Sequence, residues 1–328
     1  AVWDLPVIFL VENNGYGLST PSKDQFRCAH IADKGIGYGI ESKTIDGNNI
    51  LEVYTEISRI AADLRQNPRP FLLECKTFRM RGHEEASGTK YVPQELMDEW
   101  AKKDPIANFE NYLLTNKLIS VKDIVKIKDA ITDEINEGVK ILSVHERIDV
   151  NTSLELGDVY KPHSPLVKEP SEQRIEMRYI DAIQDGLRTA MRKYDNLVLM
   201  GQDIAEYGGV FKITDGFVAE FGVGRVRNTP ISEAAPLGAA LGLSMMGKKS
   251  MVEMQFADFV SCGFNQIANN LAKTYYRWGQ NSDVVIRMPT GGGSAAGPFH
   301  SQSNEAWFFH IAGLKIVYPS NPADAKGL

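Results

Sequence analysis

The sequence predicts an α/β fold made of two three-layer α/β/α domains, the first of them incomplete, joined by a helical segment and a linker. A length of 328 residues exceeds what one domain usually needs. In both halves, short apolar runs alternate with amphipathic segments, the pattern of parallel strands connected by helices. Between Glu146 and Arg174 this periodicity disappears among prolines and charged residues. We therefore expect a first domain over residues 1–145, a linker over residues 146–173 and a second domain over residues 174–328.

The first domain begins with a strand. Residues 5–11 form a continuous apolar run, as expected for a parallel strand covered on both faces, and the turn-forming cluster at residues 13–17 ends it. Residues 50–66 carry apolar side chains at helical spacing and precede two prolines, which predicts a helix that ends there. Residues 71–78 predict the next strand, so this domain has the order of a parallel sheet.

Residues 92–142 have a helical pattern. Its clearest part begins at Ser120, because Asp123 follows three residues later as in a capping box. From Ile124 to Val139 apolar residues recur every three or four positions. We expect this helix to pack on the first domain or on a partner subunit, and nothing in it indicates chemistry.

The second domain repeats the alternation of helices and strands. The predicted elements are, in chain order, a helix at 178–194, a strand at 197–200, a helix at 234–246, a strand at 250–256, a helix at 265–278, and strands at 284–287 and 314–318.

Composition and charge argue against several classes of function. A formal net charge of −6 disfavours nucleic acid or an anionic membrane as a partner. No apolar run approaches the ~20 residues that cross a bilayer, and residues 1–13 lack the features of a signal peptide. Cys28, Cys75 and Cys262 are far apart and outside zinc-binding spacings, which is typical of unpaired thiols in a reducing compartment. We therefore expect a cytoplasmic protein.

Two loops that follow strands of the first domain carry candidate functional residues. Asn14 lies just past the first strand, where open α/β sheets bind ligands, and its amide oxygen suits Mg²⁺ bound together with a phosphate group. The alternative is that Asn14 only forms an asparagine–glycine turn. His83 follows the second strand in a charged loop, where it is either a binding residue or a solvated loop residue.

The second domain offers one acid and one base. Glu233 opens onto a helix of small apolar residues, so it either complements the helix dipole or is a desolvated acid with a raised pKa. His300 follows a glycine-rich loop and is a candidate proton-transfer group.

Together these motifs resemble the thiamine-diphosphate-dependent 2-oxo acid dehydrogenases, the decarboxylating components of large lipoyl-linked complexes. Residues 12–20 resemble the second half of the diphosphate-binding motif of the alpha subunit, and residues 79–83 resemble its phosphate-side loop. The segments that resemble the beta subunit are residues 201–203, 229–233, 253–258, 287–293, 300–303 and 324–328. The resemblance implies two thiamine-diphosphate-binding domains, alpha-type and then beta-type, fused in one chain.

In the alpha-type part the resemblance implies that the Asn14 side chain and the Tyr16 carbonyl bind Mg²⁺, which holds the diphosphate of the cofactor. It implies further that Leu18 packs on the cofactor and that Arg79 contributes to binding it. His83 would assist proton handling and acyl transfer.

In the beta-type part the resemblance implies that Glu233 hydrogen-bonds N1′ of the aminopyrimidine ring. Gln255 and Phe259 would line the aminopyrimidine pocket, and His300, like His83, would assist proton handling and acyl transfer to the lipoyl group. One position departs from the family: Gln202 stands where an acidic residue is frequent, so a proton relay through this position is not expected.

The activity implied is oxidative decarboxylation of a 2-oxo acid, with the branched-chain substrate 3-methyl-2-oxobutanoate favoured, and acyl transfer to a lipoyl group. The implied partners are the lipoyl-bearing acyltransferase core and a second copy of the chain, in a homodimer or higher oligomer. Alternatives are a pyruvate or acetoin dehydrogenase component, carbon–carbon transfer of the transketolase kind, and a subunit that serves only as an assembly surface.

The resemblance also implies two segments that these 328 residues do not include: the Gly-Asp-Gly that supplies a magnesium-binding aspartate, and the C-terminal domain of the beta subunit. We therefore expect this chain by itself to be inactive and to bind thiamine diphosphate with Mg²⁺ only weakly. Isothermal titration calorimetry should detect no dissociation constant in the micromolar range. Micromolar binding would contradict this expectation.

Overall fold

The structure is a computed structural model that describes residues 1–84, 86–145, 149–164, 169 and 171–328. They form two compact units, unit 1 (residues 1–147) and unit 2 (residues 148–328). Each unit has a parallel sheet with helices, so the predicted α/β fold class is confirmed.

Unit 1 is organised around a three-stranded parallel sheet of order β1–β5–β4. Its strands are β1 (Ile8–Asn13), β2 (Tyr16–Gly17), β3 (Thr20–Pro21), β4 (Glu41–Asp46) and β5 (Phe71–Lys76), of which β2 and β3 form a small hairpin. Its helices are α1 (Lys34–Tyr38), α2 (Ile50–Gln66), α3 (Gln94–Ala101), α4 (Pro105–Thr115) and α5 (Val121–Val144), with 3-10 turns at Ser22–Asp24 and Ile31–Asp33.

Helix α2 forms the core of unit 1 together with the sheet. Its first turn is capped by Asn49, whose Oδ1 accepts a hydrogen bond from the N–H of Leu51 at 3.2 Å. Ile60 and Leu64 are buried in one cluster with Leu73 of the central strand β5. Burial of each such side chain stabilises the fold by roughly 2 kcal/mol. The predicted helix over residues 50–66 is confirmed.

Strand β1 is more exposed than the sequence predicts. It begins at Ile8 rather than Leu5, and the neighbouring side chains of Phe9 and Leu10 are 49% and 43% exposed. Because adjacent residues of a strand point to opposite faces, the prediction that β1 is covered on both faces is wrong for the described residues. Among the described residues β1 pairs with β5 alone, and an edge strand has neighbouring elements on one side only, so less of each face is covered.

The region predicted to be helical from residue 92 to 142 contains α3, α4 and α5. The capping box at α5 is confirmed: Ser120 Oγ accepts from the Asp123 N–H at 3.3 Å, and the Ser120 N–H donates to Asp123 Oδ2 at 2.8 Å. The apolar stripe of α5 stays exposed, with Ile131 at 53% and Ile135 at 60%. The expected packing on the first domain is therefore not observed among the described residues, and packing on a partner stays a prediction.

Unit 2 contains a four-stranded parallel sheet of order β7–β6–β8–β9. Its strands are β6 (Leu197–Gly201), β7 (Val226–Asn228), β8 (Lys249–Glu253) and β9 (Val284–Arg287). Its helices are α6 (Thr152–Gly157), α7 (Tyr179–Lys193), α8 (Phe217–Phe221), α9 (Ala234–Met245), α10 (Thr274–Trp278), α11 (Glu305–Phe309) and α12 (Pro322–Gly327), with 3-10 segments at Ala257–Gly263 and Gly292–Ser294 and a π-helix at Gln266–Leu271.

The core of unit 2 confirms the predicted helix at 178–194 and the strand that follows it. Met191 of α7, Leu199 of β6 and Phe217 of α8 have no exposed surface and belong to one cluster. The predicted helix at 265–278 is present but irregular, since a π-helical segment precedes α10.

One predicted strand of unit 2, at residues 314–318, is wrong: this segment has no strand structure. Two tyrosine hydroxyls donate to backbone carbonyls in this segment and next to it. Tyr160 donates to the carbonyl of Leu314 at 3.3 Å, and Tyr179 donates to that of Pro319 at 2.7 Å. An apolar run forms a strand only where a neighbouring strand offers ladder hydrogen bonds, and this segment has no such neighbour among the described residues.

The predicted linker at 146–173 is not wholly irregular. Helix α6 lies within it and is capped by Asn151, whose Oδ1 accepts from the Leu154 N–H at 3.1 Å. Residues 146–148, 165–168 and 170 of this linker lie outside the described residues. Within the described part of the chain, no helix has both the length and the apolar character to span a membrane.

Candidate functional site

In unit 1 the candidate residues follow the carboxyl ends of two neighbouring strands. Asn13, the last residue of β1, lies opposite Lys76, the last residue of β5, in the parallel register. The loop with Asn14 and the segment that leads to Arg79 therefore leave the sheet at the same edge. This is the edge at which open α/β sheets bind ligands.

The turn after β1 is fixed by two asparagine side chains. Asn13 Oδ1 accepts from the Gly15 N–H at 3.1 Å, and Asn14 Oδ1 accepts from the Tyr16 N–H at 3.0 Å. Gly15 has a φ of +83°, a left-handed conformation that favours glycine. The asparagine–glycine turn therefore exists, and it presents the Asn14 amide oxygen beside the Tyr16 backbone.

Arg79 contacts two other predicted residues, Leu18 and His83. Its Nη2 donates to the Leu18 carbonyl at 2.9 Å and to the Tyr91 hydroxyl at 3.0 Å, and its Nη1 lies 3.5 Å from His83 Nδ1. Leu18 has a φ of +55°, which a branched side chain rarely adopts and which commonly marks a functional loop. Leu18, Arg79 and His83 are therefore brought together.

The aromatic ring of Tyr16 packs on Tyr91, whose hydroxyl accepts the hydrogen bond from Arg79. Its centroid lies 5.8 Å from that of Tyr91 and 6.3 Å from that of Phe78, both in edge-on arrangements. Sequence reasoning missed Tyr91, because a lone tyrosine in a loop carries no periodic or motif signal. Its position twelve residues after Arg79 gives no hint of the hydrogen bond between them.

Beneath the turn, Glu74 of β5 is a fully buried carboxylate. Burial would raise the pKa of Glu74, but hydrogen bonds from Asn13 Nδ2, the Ala32 N–H and Lys76 Nζ outweigh burial and lower the pKa to about 2. The Thr44 hydroxyl donates to the same group at 3.0 Å. Glu74 is therefore held ionised inside the sheet.

In unit 2 the same geometry applies to β6 and β8. Gly201 and Glu253 lie opposite each other in the parallel register, so the residues that follow them meet at one edge. There, Gln255 Nε2 donates to Asp203 Oδ2 at 2.9 Å. Asp203 has a φ of +58°, a strained conformation for a residue other than glycine. Gln255 is therefore held by Asp203, which belongs to the motif at residues 201–203 but whose contact with Gln255 the sequence did not predict.

Glu233 stands at the start of α9, but its side chain makes no capping hydrogen bond to that helix. Instead, Glu233 Oε1 accepts a hydrogen bond from Gln202 Nε2 at 3.4 Å. The side chain is half-buried. This arrangement argues against a pure capping role and leaves a carboxylate with acceptor capacity toward a ligand.

His300 lies in an aromatic cluster with Phe259. The imidazole centroid is 5.4 Å from the ring of Phe259 and 5.1 Å from that of Phe256, with the rings nearly perpendicular. The 3-10 segment Ala257–Gly263 that carries Phe259 also approaches Glu233: a Cβ atom at Gly263 would lie 3.4 Å from the Glu233 carbonyl oxygen. Phe259 and Glu233 therefore belong to neighbouring segments of unit 2.

The turn after β1 offers two oxygen atoms of the type that a hard cation such as Mg²⁺ prefers. An amide oxygen of Asn14 and a carbonyl of Tyr16 are ligands that Mg²⁺ accepts when a phosphate group and water complete its coordination. Within the described residues, no group of three or more histidine, cysteine, aspartate or glutamate side chains is placed to hold a metal ion. A metal ion at this turn would therefore need further oxygen ligands from a bound phosphate group and from water.

Two family models match the chain in succession. Residues 1–147 match the model described as the dehydrogenase E1 component, and residues 175–328 match the model described as the pyrimidine-binding domain of transketolase. Both are thiamine-diphosphate-binding α/β domains, so the domain type inferred from the sequence motifs is confirmed.

Several characterised proteins are similar to about half of the chain. The beta subunit of 2-oxoisovalerate dehydrogenase from Bacillus subtilis is 45% identical over 156 residues, which cover 46% of this chain and 47% of the relative. The beta subunit of the pyruvate dehydrogenase E1 component from Leifsonia xyli is 42% identical over 164 residues, 49% of each chain. The beta subunit of acetoin:2,6-dichlorophenolindophenol oxidoreductase from Bacillus subtilis is 43% identical over 162 residues, covering 45% of this chain and 47% of the relative. The chain thus spans about half the length of the curated relatives it matches.

Glu74 should make unit 1 sensitive to acid. Its pKa is about 2 in the folded protein against an ordinary value of 4.5, so the ionised carboxylate stabilises the fold fully above pH 4.5. This contribution, about 3 kcal/mol by the size of the shift, is lost as the pH falls from 4.5 toward 2. Urea unfolding of the protein and of Glu74→Gln should give a stability difference that shrinks over this range.

The matched control is Glu41→Gln, which removes an exposed carboxylate of the same sheet that pairs with Arg69. Exposed ion pairs contribute little to stability, so this change should have a small effect at every pH. A stability difference between the protein and Glu74→Gln that does not depend on pH would contradict the role assigned to the ionised carboxylate.

Proposed function

We propose that the chain is part of a thiamine-diphosphate-dependent 2-oxo acid dehydrogenase in which an alpha-type and a beta-type domain are fused. Its reaction is the oxidative decarboxylation of a 2-oxo acid with acyl transfer to a lipoyl group. The observation that carries this proposal is Glu233, a half-buried carboxylate at the start of α9 that does not cap its own helix. The succession of the two family matches along one chain supports the fusion.

The residues of both units fit the cofactor in chemical type. Asn14 and the Tyr16 carbonyl would hold Mg²⁺ at the diphosphate, and Leu18 and Arg79 would lie against the cofactor. Thiamine diphosphate, when bound, supplies the electron sink that accepts the electron pair left by carbon dioxide. The protein supplies binding, orientation and proton placement.

Glu233 would hold a proton at N1′ of the aminopyrimidine ring. A carboxylate can do this only while it retains acceptor capacity. Glu233 Oε1 accepts one long hydrogen bond, from the Gln202 amide at 3.4 Å, which leaves lone pairs of the carboxylate for a ligand. An amide donates a hydrogen bond, but it is too weak an acid and too weak a base to relay a proton. Gln202 would therefore orient Glu233 without relaying protons away from it.

The remaining site residues would shape the pocket and handle protons. Gln255, oriented by Asp203, and Phe259 would line the aminopyrimidine pocket. His300, flanked by two phenylalanine rings, and His83, next to Arg79, would assist proton handling and acyl transfer to the lipoyl group.

The proposed partners follow from the reaction. Acyl transfer requires a lipoyl group, so the partner is the lipoyl-bearing acyltransferase core of a multienzyme complex. We further propose a homodimer or higher oligomer, because an alpha-type and a beta-type domain of different subunits enclose the cofactor in the family that the motifs resemble. A cytoplasmic location suits the three separated free thiols.

Replacing Glu233 by Gln should strongly reduce the rate of decarboxylation by the intact protein. The amide cannot hold the transferred proton, and loss of acid–base catalysis costs about a hundredfold or more in rate. The measurement is 2-oxo acid turnover with an artificial electron acceptor. Glu176→Gln, an exposed site in the same unit, serves as the control and should leave the rate unchanged. Undiminished turnover of Glu233→Gln would remove Glu233 from the mechanism.

Among 2-oxo acids, we propose 3-methyl-2-oxobutanoate as the substrate. Relatives named as 2-oxoisovalerate dehydrogenase beta subunits, such as those from Bacillus subtilis and Pseudomonas aeruginosa, support this choice. The intact protein should therefore turn over 3-methyl-2-oxobutanoate with a higher kcat/KM than pyruvate. A preference for pyruvate would overturn the branched-chain assignment, and ketol transfer between sugar phosphates without lipoyl reduction would favour the transketolase-type alternative.

A further inference from the structure

One buried carboxylate holds both ends of the segment that carries the proposed magnesium ligands. Glu74 Oε1 accepts from Asn13 Nδ2 at 2.6 Å, and Glu74 Oε2 accepts from the Ala32 N–H at 3.1 Å. Asn13 and Ala32 immediately precede and follow residues 14–31. This segment, with Asn14 near its start, is therefore closed into a loop by a single side chain.

Glu74 is itself immobilised. It belongs to the central strand β5, has no exposed surface, and accepts further from the Thr44 hydroxyl at 3.0 Å and from Lys76 Nζ at 3.1 Å. His30 Nδ1 lies 3.8 Å away on the Ala32 side. Each carboxylate oxygen thus has at least two polar neighbours, which offset the free-energy cost of burying the charge. The loop is closed on a rigid point of the sheet.

A short series of hydrogen bonds connects Glu74 to the proposed metal ligands. The Asn13 amide, fixed on one side by Glu74, accepts on its other side from the Gly15 N–H. The Gly15 carbonyl accepts from the Ser22 N–H at 2.8 Å, which folds the loop back on itself. Tyr16 lies between these contacts, so its carbonyl and the Asn14 side chain are oriented by them.

We propose that Glu74 is a positioning residue that closes residues 14–31 at both ends and presets the Asn14 side chain and the Tyr16 carbonyl for a divalent cation. The inference rests on the proposed function for the identity of the ligand, but the closure of the loop does not. The carboxylate is required because it accepts on both sides at once. A glutamine has one acceptor oxygen and one donor NH₂, so it must turn a donor toward one end of the loop.

The test is amide hydrogen exchange by NMR on Glu74→Gln. The Tyr16 and Ser22 N–H groups, both hydrogen-bonded within the loop, should exchange about tenfold faster or more, as expected for the loss of one hydrogen bond to a charged group. The core amides of Ile60 and Leu73 should change less. Glu41→Gln, on the edge strand β4, should leave the loop amides unchanged. Equal acceleration in loop and core would show that Glu74 only stabilises the unit, and would overturn the proposal.

A second variant keeps the test decisive if Glu74→Gln does not fold. Asn13→Ala removes the link at the start of the loop and leaves Glu74 bonded to Ala32 and Thr44. The Tyr16 and Ser22 amides should then exchange faster while the Ala32 amide stays protected. Loop exchange that is unchanged in Asn13→Ala would overturn the proposal.

Mn²⁺, a paramagnetic probe for a Mg²⁺ site, separates this inference from the proposed function. Broadening of the Asn14 and Tyr16 signals that weakens in Glu74→Gln would support both. Faster loop exchange with no Mn²⁺ effect in the unaltered protein would support the role of Glu74 and count against the metal site. Unchanged loop exchange would overturn the role of Glu74 whatever Mn²⁺ does.

Discussion

Parallel pairing of the strands is the constraint on which the location of the chemistry depends. In a parallel sheet all carboxyl ends lie at one edge, so segments that are distant in sequence leave the sheet side by side. In unit 1 the pair Asn13 and Lys76 places the Asn14 turn beside the segment with Arg79. In unit 2 the pair Gly201 and Glu253 does the same for the segments that follow β6 and β8. Both units therefore collect their polar candidates at a strand end.

Glu74 and Glu233 are both glutamates, but their surroundings give them different roles. Glu74 is fully buried, and donors occupy both of its oxygens, which holds its pKa low and leaves it nothing to offer a ligand. Glu233 is half-buried, makes no cap to its helix and receives one long hydrogen bond from Gln202. The first is a fixed point of the fold, and the second keeps acceptor capacity, which the proposed contact with a cofactor requires. Residue type alone does not distinguish them.

Much of the candidate site followed from motifs. Segments around Asn14, Arg79 and Glu233 carried a resemblance to one family, and the family matches agree with it for both halves of the chain. The partners of those residues did not follow. Tyr91 and Asp203 lie in loops without periodicity, and their contacts to Arg79 and Gln255 span 12 and 52 residues. The register of β6 and β8 brings Asp203 and Gln255 together, and no local pattern encodes either contact.

By itself the sequence determined the α/β class, the helices α2, α5, α7 and α9, the capping box at Ser120 and the order of alpha-type before beta-type motifs. These depend on local periodicity and short-range hydrogen bonds, which a linear pattern records. The tertiary structure alone decided that β1 is an exposed edge strand, that residues 314–318 form no strand, and that Glu74 closes the loop of residues 14–31. Each of these depends on which neighbour supplies a backbone or side-chain partner, and that is fixed only when segments far apart in sequence pack together.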